Sequence, residues 1–132
     1  MQSTTEFARS FGIAAKCERW HENPHMSDDF QGDHWKCVLK GAGSQMTVYF
    51  SMGYGHNGKA PKAADLLDCL ASDAAGYENA QSFEDWASEH GYDMDSRKAE
   101  KTFRIVAKEA AKLKRFLGEP AYERLLWDTE RL

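Results

Sequence analysis

The chain has 132 residues, of which 42% are hydrophobic, and its four Trp and seven Phe are enough to build the core of one domain. The first residues are polar and no apolar run approaches the length that spans a bilayer, so we expect neither a signal peptide nor a membrane anchor. The net charge of -4 counts against a dedicated nucleic-acid-binding protein. We therefore expect one cytoplasmic domain that comprises residues 1–132.

A three-stranded antiparallel sheet is predicted in the N-terminal half. Apolar and polar residues alternate over 34–40 and again over 46–52, which is the period of a half-buried strand. The glycine-rich segment 41–44 between them is typical of a hairpin loop. The segment Gly12 to Trp20 is expected to be the third strand.

A long polar loop is predicted between the first two strands, from His21 to Asp33. It contains Pro24 and Gly32 together with several acidic residues. Connections of this length are often functional. The sequence does not show whether this loop becomes ordered only on binding.

Four helices are predicted in the C-terminal half, each bounded by its own capping and breaking residues. In chain order they run from Pro61 to about Gly76, from Ser82 to Gly91, from Ser96 to Leu117 and from Pro120 to Trp127. We therefore expect an α+β domain, in which about four helices cover one face of the small sheet.

The third predicted helix is strongly amphipathic. At about 100° per residue, its basic side chains fall within an arc of about 80°, opposite an apolar stripe that runs from Ala99 to Leu117. We predict that this basic stripe binds a partner. The basic stripe consists of Arg97, Lys101, Arg104, Lys108, Lys112 and Arg115.

Charge is segregated along the chain. Residues 61–95 contain nine acidic residues and one basic residue, whereas residues 96–118 contain eight basic and two acidic ones. The basic stripe is suited to a phosphate backbone or to an acidic protein surface, and the acidic segment 61–95 is suited to imitate nucleic acid. The alternative for both is an ordinary solvated face. The sequence does not decide which of the two charged surfaces makes contact.

The segment Gly53 to Lys59 matches two phosphate-binding patterns, G-x-G-x-x-G and G-x-x-x-x-G-K. The position that would supply a magnesium ligand is Ala60, and the preceding strand is predicted to be half of an antiparallel hairpin rather than part of a parallel sheet. We therefore interpret this segment as a glycine-rich connection from the sheet to the first predicted helix, and we assign no nucleotide cofactor.

Potential metal ligands gather around the long loop, but their spacing is not that of a zinc site. They are Cys17, His21, His25, His34 and Cys37. All three cysteines of the chain lie in apolar patterns, which favour buried and reduced thiols. We assign no metal, no cofactor and no catalytic residue, and we expect that the protein is not an enzyme.

Three strings resemble a family of short proteins encoded by bacteriophages and prophages. They are residues 66–74, residues 83–101 and residues 122–127. The resemblance covers most of the chain from Trp35 onward, rests on general sequence texture and carries no active site. It implies a small accessory protein in an infected bacterial cytoplasm, a setting in which inhibitors of host defence such as anti-CRISPR proteins act.

Two functions follow as hypotheses. The first is a phage-encoded, non-catalytic inhibitor that binds a host protein or ribonucleoprotein complex of nucleic-acid-targeting defence and occludes its surface through segregated charges. The alternative is an accessory nucleic-acid-binding protein of phage replication or recombination that uses the basic stripe. Overall acidity and the absence of an interleaved basic and aromatic sheet surface count against this alternative. The oligomeric state is not indicated.

Overall fold

The computed structural model describes residues 2–25, 31–41, 43–53, 58–93 and 95–128. Its architecture is α+β, as expected from the sequence. In chain order the elements are α1 (Thr4–Ser10), β1 (Ala14–Trp20), β2 (Gly32–Gly41), β3 (Ser44–Gly53), α2 (Ala63–Asn79), α3 (Phe83–Glu89), α4 (Arg97–Leu117) and α5 (Glu119–Asp128).

The three strands form an antiparallel sheet in the order β1-β2-β3, which confirms the predicted three-stranded antiparallel sheet. Cys17 of β1 lies opposite Cys37 of β2, which in turn lies opposite Val48 of β3. The hairpin between β2 and β3 is tight, because β2 ends at Gly41 and β3 begins at Ser44. Gly43 in this turn has a φ of 80°, a conformation that glycine adopts without a Cβ clash.

The two faces of the sheet differ in burial. In the central part of β2 and β3 every second residue is buried, as the alternation predicts for a half-buried sheet; these residues are Trp35, Cys37, Leu39, Met46 and Val48. The intervening residues are half-buried or exposed. We call the face formed by these intervening residues the outer sheet face.

The short helix α1 is not among the predicted elements. Its seven residues present only one strongly apolar position to the core, Phe7, which is 0% exposed. The ring of Phe7 packs against that of Phe11, with 4.4 Å between the centroids. Two buried positions in seven residues, one of them the small Ala8, are too few to establish a helical period.

The four predicted C-terminal helices are present, although α2 continues past the predicted end at Gly76 to Asn79. Ser82 caps α3, because its hydroxyl accepts a hydrogen bond from the backbone of Asp85 at 3.1 Å. Ser96 caps α4 in the same way, with the backbone of Ala99 as donor at 3.3 Å.

Backbone contacts among the described residues divide the chain into two compact units. One comprises Thr4–Leu67, and the other comprises Asp68–Leu132 together with the first three residues, so the boundary falls within α2. In the first unit the fully buried side chains include Phe7, Leu39 and Leu66; in the second they include Leu113 and Leu125. The prediction of one domain over residues 1–132 is not tested by this division and stays a prediction.

Part of the predicted loop from His21 to Asp33 is described, whereas residues 26–30 lie outside the described residues. At the start of the loop, the side chain of Asn23 is only 8% exposed. It donates to the Ser51 hydroxyl at 2.9 Å and accepts from the backbone of His25 at 3.0 Å. The bond to Ser51 attaches the start of the loop to β3, and the bond from His25 lies within the loop.

Candidate partner-binding face

The basic stripe lies on α4, the longest described helix, whose 21 residues span Arg97–Leu117. The helix begins at the Ser96 cap and ends at Gly118, whose φ of 85° and ψ of 150° suit glycine alone. At 1.5 Å per residue, the stripe extends for about 27 Å along the axis. A long, capped helix therefore supplies the frame for all six cations.

The side of α4 opposite the stripe is anchored by packing. Ala99, Ala110, Leu113 and Phe116 are buried. Phe103 is half-buried, and its ring meets three aromatic neighbours at centroid distances between 5.2 and 5.6 Å; these are Tyr77, Phe83 and Trp86. Aromatic pairs at these separations are attractive beyond their burial, so they fix the rotation of α4 within its unit.

All six side chains of the basic stripe are exposed, as the amphipathic pattern predicts. Two of them have carboxylate partners on α4 itself. A guanidinium nitrogen of Arg104 lies 2.5 Å from Glu100, and the Lys112 ammonium lies 3.6 Å from Glu109. Within the part of the chain that the structure describes, the other four stripe cations have no carboxylate within 4.0 Å: Arg97, Lys101, Lys108 and Arg115.

A shallow groove of about 490 Å³ runs between the long side chains at the N-terminal half of the stripe. Four stripe residues line it, together with Glu100 and Ile105. The groove is therefore basic, but it contains one carboxylate and one aliphatic side chain. This mixture can accept an acidic side chain and an apolar one from a partner.

Lys114 also belongs to α4 but is directed elsewhere. Its ammonium lies 4.0 Å from Glu78 of α2 and 5.1 Å from the centre of the Tyr122 ring of α5. The Tyr122 hydroxyl donates to Glu78 at 2.9 Å. Burial, and then the hydrogen bond to Glu78, raise the pKa of Tyr122 well above its ordinary value. Lys114 therefore joins three helices instead of extending the basic stripe.

The nine acidic side chains of segment 61–95 are all exposed. Several accept local hydrogen bonds: Asp65 from the backbone of Lys62 at 2.9 Å, and Asp85 from that of Gln81 at 3.2 Å. Glu78 accepts a hydrogen bond from Tyr122, so three of these carboxylates stabilise local structure. The acidic segment is thus exposed, and part of its charge is engaged in contacts within the fold, as is part of the charge of the basic stripe.

The carboxyl of Asp73 in α2 has a raised pKa. Loss of hydration raises the pKa of its carboxyl, nearby His90 partly offsets the rise, and Glu109 adds to it, although the residue keeps an exposed side. The shift marks a local charge cluster of α2, α3 and α4. Among the described residues, no group of three or more His, Cys, Asp or Glu side chains is arranged to hold a metal ion.

The expectation of reduced, buried cysteines is wrong in the oxidation state of Cys17 and Cys37 and in the burial of Cys69. Cys17 and Cys37 are directly opposite each other on neighbouring strands, with 4.1 Å between their Cα atoms, and the structure joins them as a disulfide. Cys69 on α2 is not part of a disulfide and is exposed. Cys17 and Cys37 are 20 residues apart in the sequence, so their proximity becomes visible only when the two strands are aligned in register.

The glycine-rich segment from Gly53 to Lys59 lies partly outside the described residues, since 54–57 are not described. Gly58 has a φ of 66°, and its carbonyl accepts a hydrogen bond from Arg19 at 3.3 Å. A Cβ at this position would lie 2.5 Å from the same guanidinium. The positive φ favours glycine in this turn, which packs against Arg19, and the strand before it is antiparallel to its neighbour.

The structure also shows a surface that the sequence did not predict. Register places Trp20 and Lys16 of β1, Lys36 and Lys40 of β2 and Tyr49 of β3 on the outer sheet face. The expected absence of an interleaved basic and aromatic sheet surface is therefore wrong. The sequence pattern that could have revealed this surface is the alternation within each strand. That pattern does not show which residues of different strands share a face until the strands are aligned.

None of the described helices combines the length and the apolar character that crossing a membrane requires. Comparison with known proteins finds no matching family model, no matching curated protein and no matching solved structure.

Proposed function

We propose that this chain is a non-catalytic binding protein whose basic stripe docks on an acidic surface of a larger protein or ribonucleoprotein complex. In the setting implied by the resemblance to phage proteins, the partner is a host complex that targets nucleic acid, and the chain inhibits it in the bacterial cytoplasm by occlusion. This setting is supported by the sequence strings alone, whereas the docking surface is supported by the geometry of α4.

The observation that carries the proposal is the exposure of all six stripe cations on one capped helix. Four of them have no carboxylate within 4.0 Å among the described residues. Exposed charges steer association and set the register of a complex more than they add affinity. A row of about 27 Å is long enough to contact a standard protein interface from one side to the other.

The neighbours of the stripe favour a protein partner over a phosphate backbone. Glu100 and Glu109 lie at the edges of the stripe and would repel phosphates. A protein partner, in contrast, can place its own cations beside these two carboxylates. Ile105 is half-buried in the groove beside Arg97, Lys101 and Lys108 and gives an apolar contact in the middle of the basic residues. Mixed polar and apolar contacts are typical of protein interfaces.

Reversal of three stripe charges tests the proposal. We expect that Arg104→Glu, Lys108→Glu and Lys112→Glu together weaken capture of the partner at least about tenfold without unfolding the protein, because an attraction becomes a repulsion. The measurement is a pull-down from the bacterial host with the tagged full chain, quantified by mass spectrometry, with circular dichroism as the check of folding.

The matched control reverses three exposed lysines outside the stripe: Lys59→Glu, Lys62→Glu and Lys98→Glu. It changes the net charge by the same amount, so it separates the stripe from overall charge. Equal capture by the stripe variant and the wild type would remove the basic stripe from the function. If the stripe variant and the control lose partner capture equally, the cause is the overall charge of the protein and not the basic stripe.

A second candidate is an accessory nucleic-acid-binding protein that uses the same stripe. The four stripe cations without a carboxylate partner among the described residues are the observation in its favour, since each can neutralise one phosphate.

A further inference from the structure

The outer sheet face carries aromatic and basic side chains in neighbouring positions. Lys36 of β2 lies between Glu18 of β1 and Tyr49 of β3 in the register, and Trp20 is two residues further along β1. Tyr49, Lys36 and Trp20 are half-exposed. Three strands therefore contribute to one connected patch that belongs entirely to the unit Thr4–Leu67.

The charge of this face is positive. Three lysines, Lys16, Lys36 and Lys40, share it with one carboxylate, that of Glu18. Lys16 and Lys40 are exposed. Residues diagonal to each other on adjacent strands are about 7–8 Å apart, so Lys16 and Lys40 form one cationic end of the face. An extended polyanion can therefore meet several cations at once.

Within the patch the rings have different roles. The Lys36 ammonium lies over the Trp20 ring, 4.6 Å from its centre, in a cation–π contact that holds the charge on the face. Tyr49 makes an edge-to-face contact with His25, with 6.1 Å between the centroids. Trp20 is thus a positioning residue for Lys36, and Tyr49 is the ring on which a planar group can stack.

We propose that the outer sheet face binds single-stranded nucleic acid, with a base stacked on Tyr49 and phosphates bound by Lys16, Lys36 and Lys40. A planar π surface beside several cations suits a strand that has both unpaired bases and phosphates. An acidic peptide would use the lysines but gain little from the tyrosine ring. Duplex DNA hides its base faces, so it would also leave the ring unused.

Fluorescence anisotropy of a labelled oligothymidylate of about twelve nucleotides, titrated with the full chain, tests this proposal. We expect micromolar binding at about 50 mM salt that weakens about 20-fold at about 200 mM, as three phosphate contacts to a single strand require. An unlabelled duplex should compete poorly. No binding at the lower salt concentration would overturn the proposal, and so would equal competition by the duplex.

Variants separate the ring from the charges. Tyr49→Leu should weaken binding about tenfold, whereas Tyr49→Phe should keep it, because the ring stacks and the hydroxyl does not. Lys16→Gln with Lys40→Gln alters two exposed side chains, so folding is retained, and the loss between the two salt concentrations should shrink to about threefold. Gln45→Ala on the same face is the matched control, with unchanged affinity.

The charge-reversed stripe variant distinguishes this site from the one on α4. We expect that this variant binds the oligonucleotide as the wild type does. If it loses the oligonucleotide while the sheet variants keep it, the sheet proposal fails and the nucleic-acid function of the basic stripe gains support. The capture of a protein partner is measured separately, so failure of one proposal leaves the other standing.

Discussion

Tyr122 shows how a single side chain ties the helices of its unit together. It is 2% exposed, and its hydroxyl ends in a hydrogen bond to Glu78 of α2 while Lys114 of α4 lies over its ring. A buried tyrosine needs such a partner, because an unsatisfied hydroxyl costs about 1–3 kcal/mol. The pKa of Tyr122 is raised because burial and the adjacent Glu78 carboxylate both destabilise the phenolate.

Tyr122→Phe should lower the free energy of unfolding by about 1 kcal/mol at neutral pH. In the wild type, the unfolded chain ionises this tyrosine above about pH 10 while the folded chain keeps it protonated, so stability falls as pH rises. The variant lacks this loss, and the gap between the two proteins should narrow above pH 10 in urea titrations. A gap that stays constant to pH 11 would contradict the assigned pKa shift.

At the scale of elements, β1 and β2 are joined more firmly than backbone pairing alone would join them. Seven residue pairs connect the strands, and the Cys17–Cys37 disulfide lies at the middle pair. A crosslink that closes a loop of this length stabilises the fold by about 3 kcal/mol, mainly by restricting the unfolded chain. Such bonds are rare in a reducing cytoplasm, so the disulfide counts against the expected cytoplasmic localisation.

Mass spectrometry and unfolding test the disulfide. The protein purified without reductant should have an intact mass about 2 Da below that of the reduced chain, and only Cys69 should be alkylated after denaturation. Cys17→Ser with Cys37→Ser should lower the free energy of unfolding by about 3 kcal/mol. Cys69→Ser is the control. Alkylation of three thiols in the denatured, unreduced protein would show that the strands are not crosslinked.

At the scale of the whole molecule, a net charge of -4 coexists with a stripe of six exposed cations. Charges are screened over about 10 Å at 0.1 M salt, a distance much shorter than the length of the stripe. A partner close to α4 therefore experiences the stripe rather than the net charge. Overall acidity alone does not exclude an anionic partner, and it affects the approach from a distance more than the contact.

Duplex DNA distinguishes the two candidate functions of the stripe. If the stripe binds the phosphate backbone through four contacts, the protein should bind duplex DNA at about 50 mM salt, and its affinity should fall about 100-fold at about 200 mM. Under the leading proposal we expect no rise in anisotropy of a labelled duplex at protein concentrations up to about 10 µM. Tight, steeply salt-dependent binding that the charge-reversed stripe variant loses would instead support the nucleic-acid function.

Features set by local sequence could be predicted, and features set by register could not. The capped, periodic α4 and the exposure of its cations follow from spacings of three and four residues. The Cys17–Cys37 pair and the neighbouring positions of Lys36 and Tyr49 require the alignment of strands that are distant in sequence. The role of Lys114 was likewise hidden, because Glu78 and Tyr122 are contributed by two other helices.

The disulfide has a consequence for protease mapping. It closes a covalent ring through Cys17 and Cys37 that contains the whole connection between β1 and β2. Cleavage of one peptide bond inside the ring opens it but leaves a single covalent molecule, heavier by one water. The two pieces separate only after reduction, so a non-reducing gel of the digest would show one uncut band even when every molecule has been cleaved there.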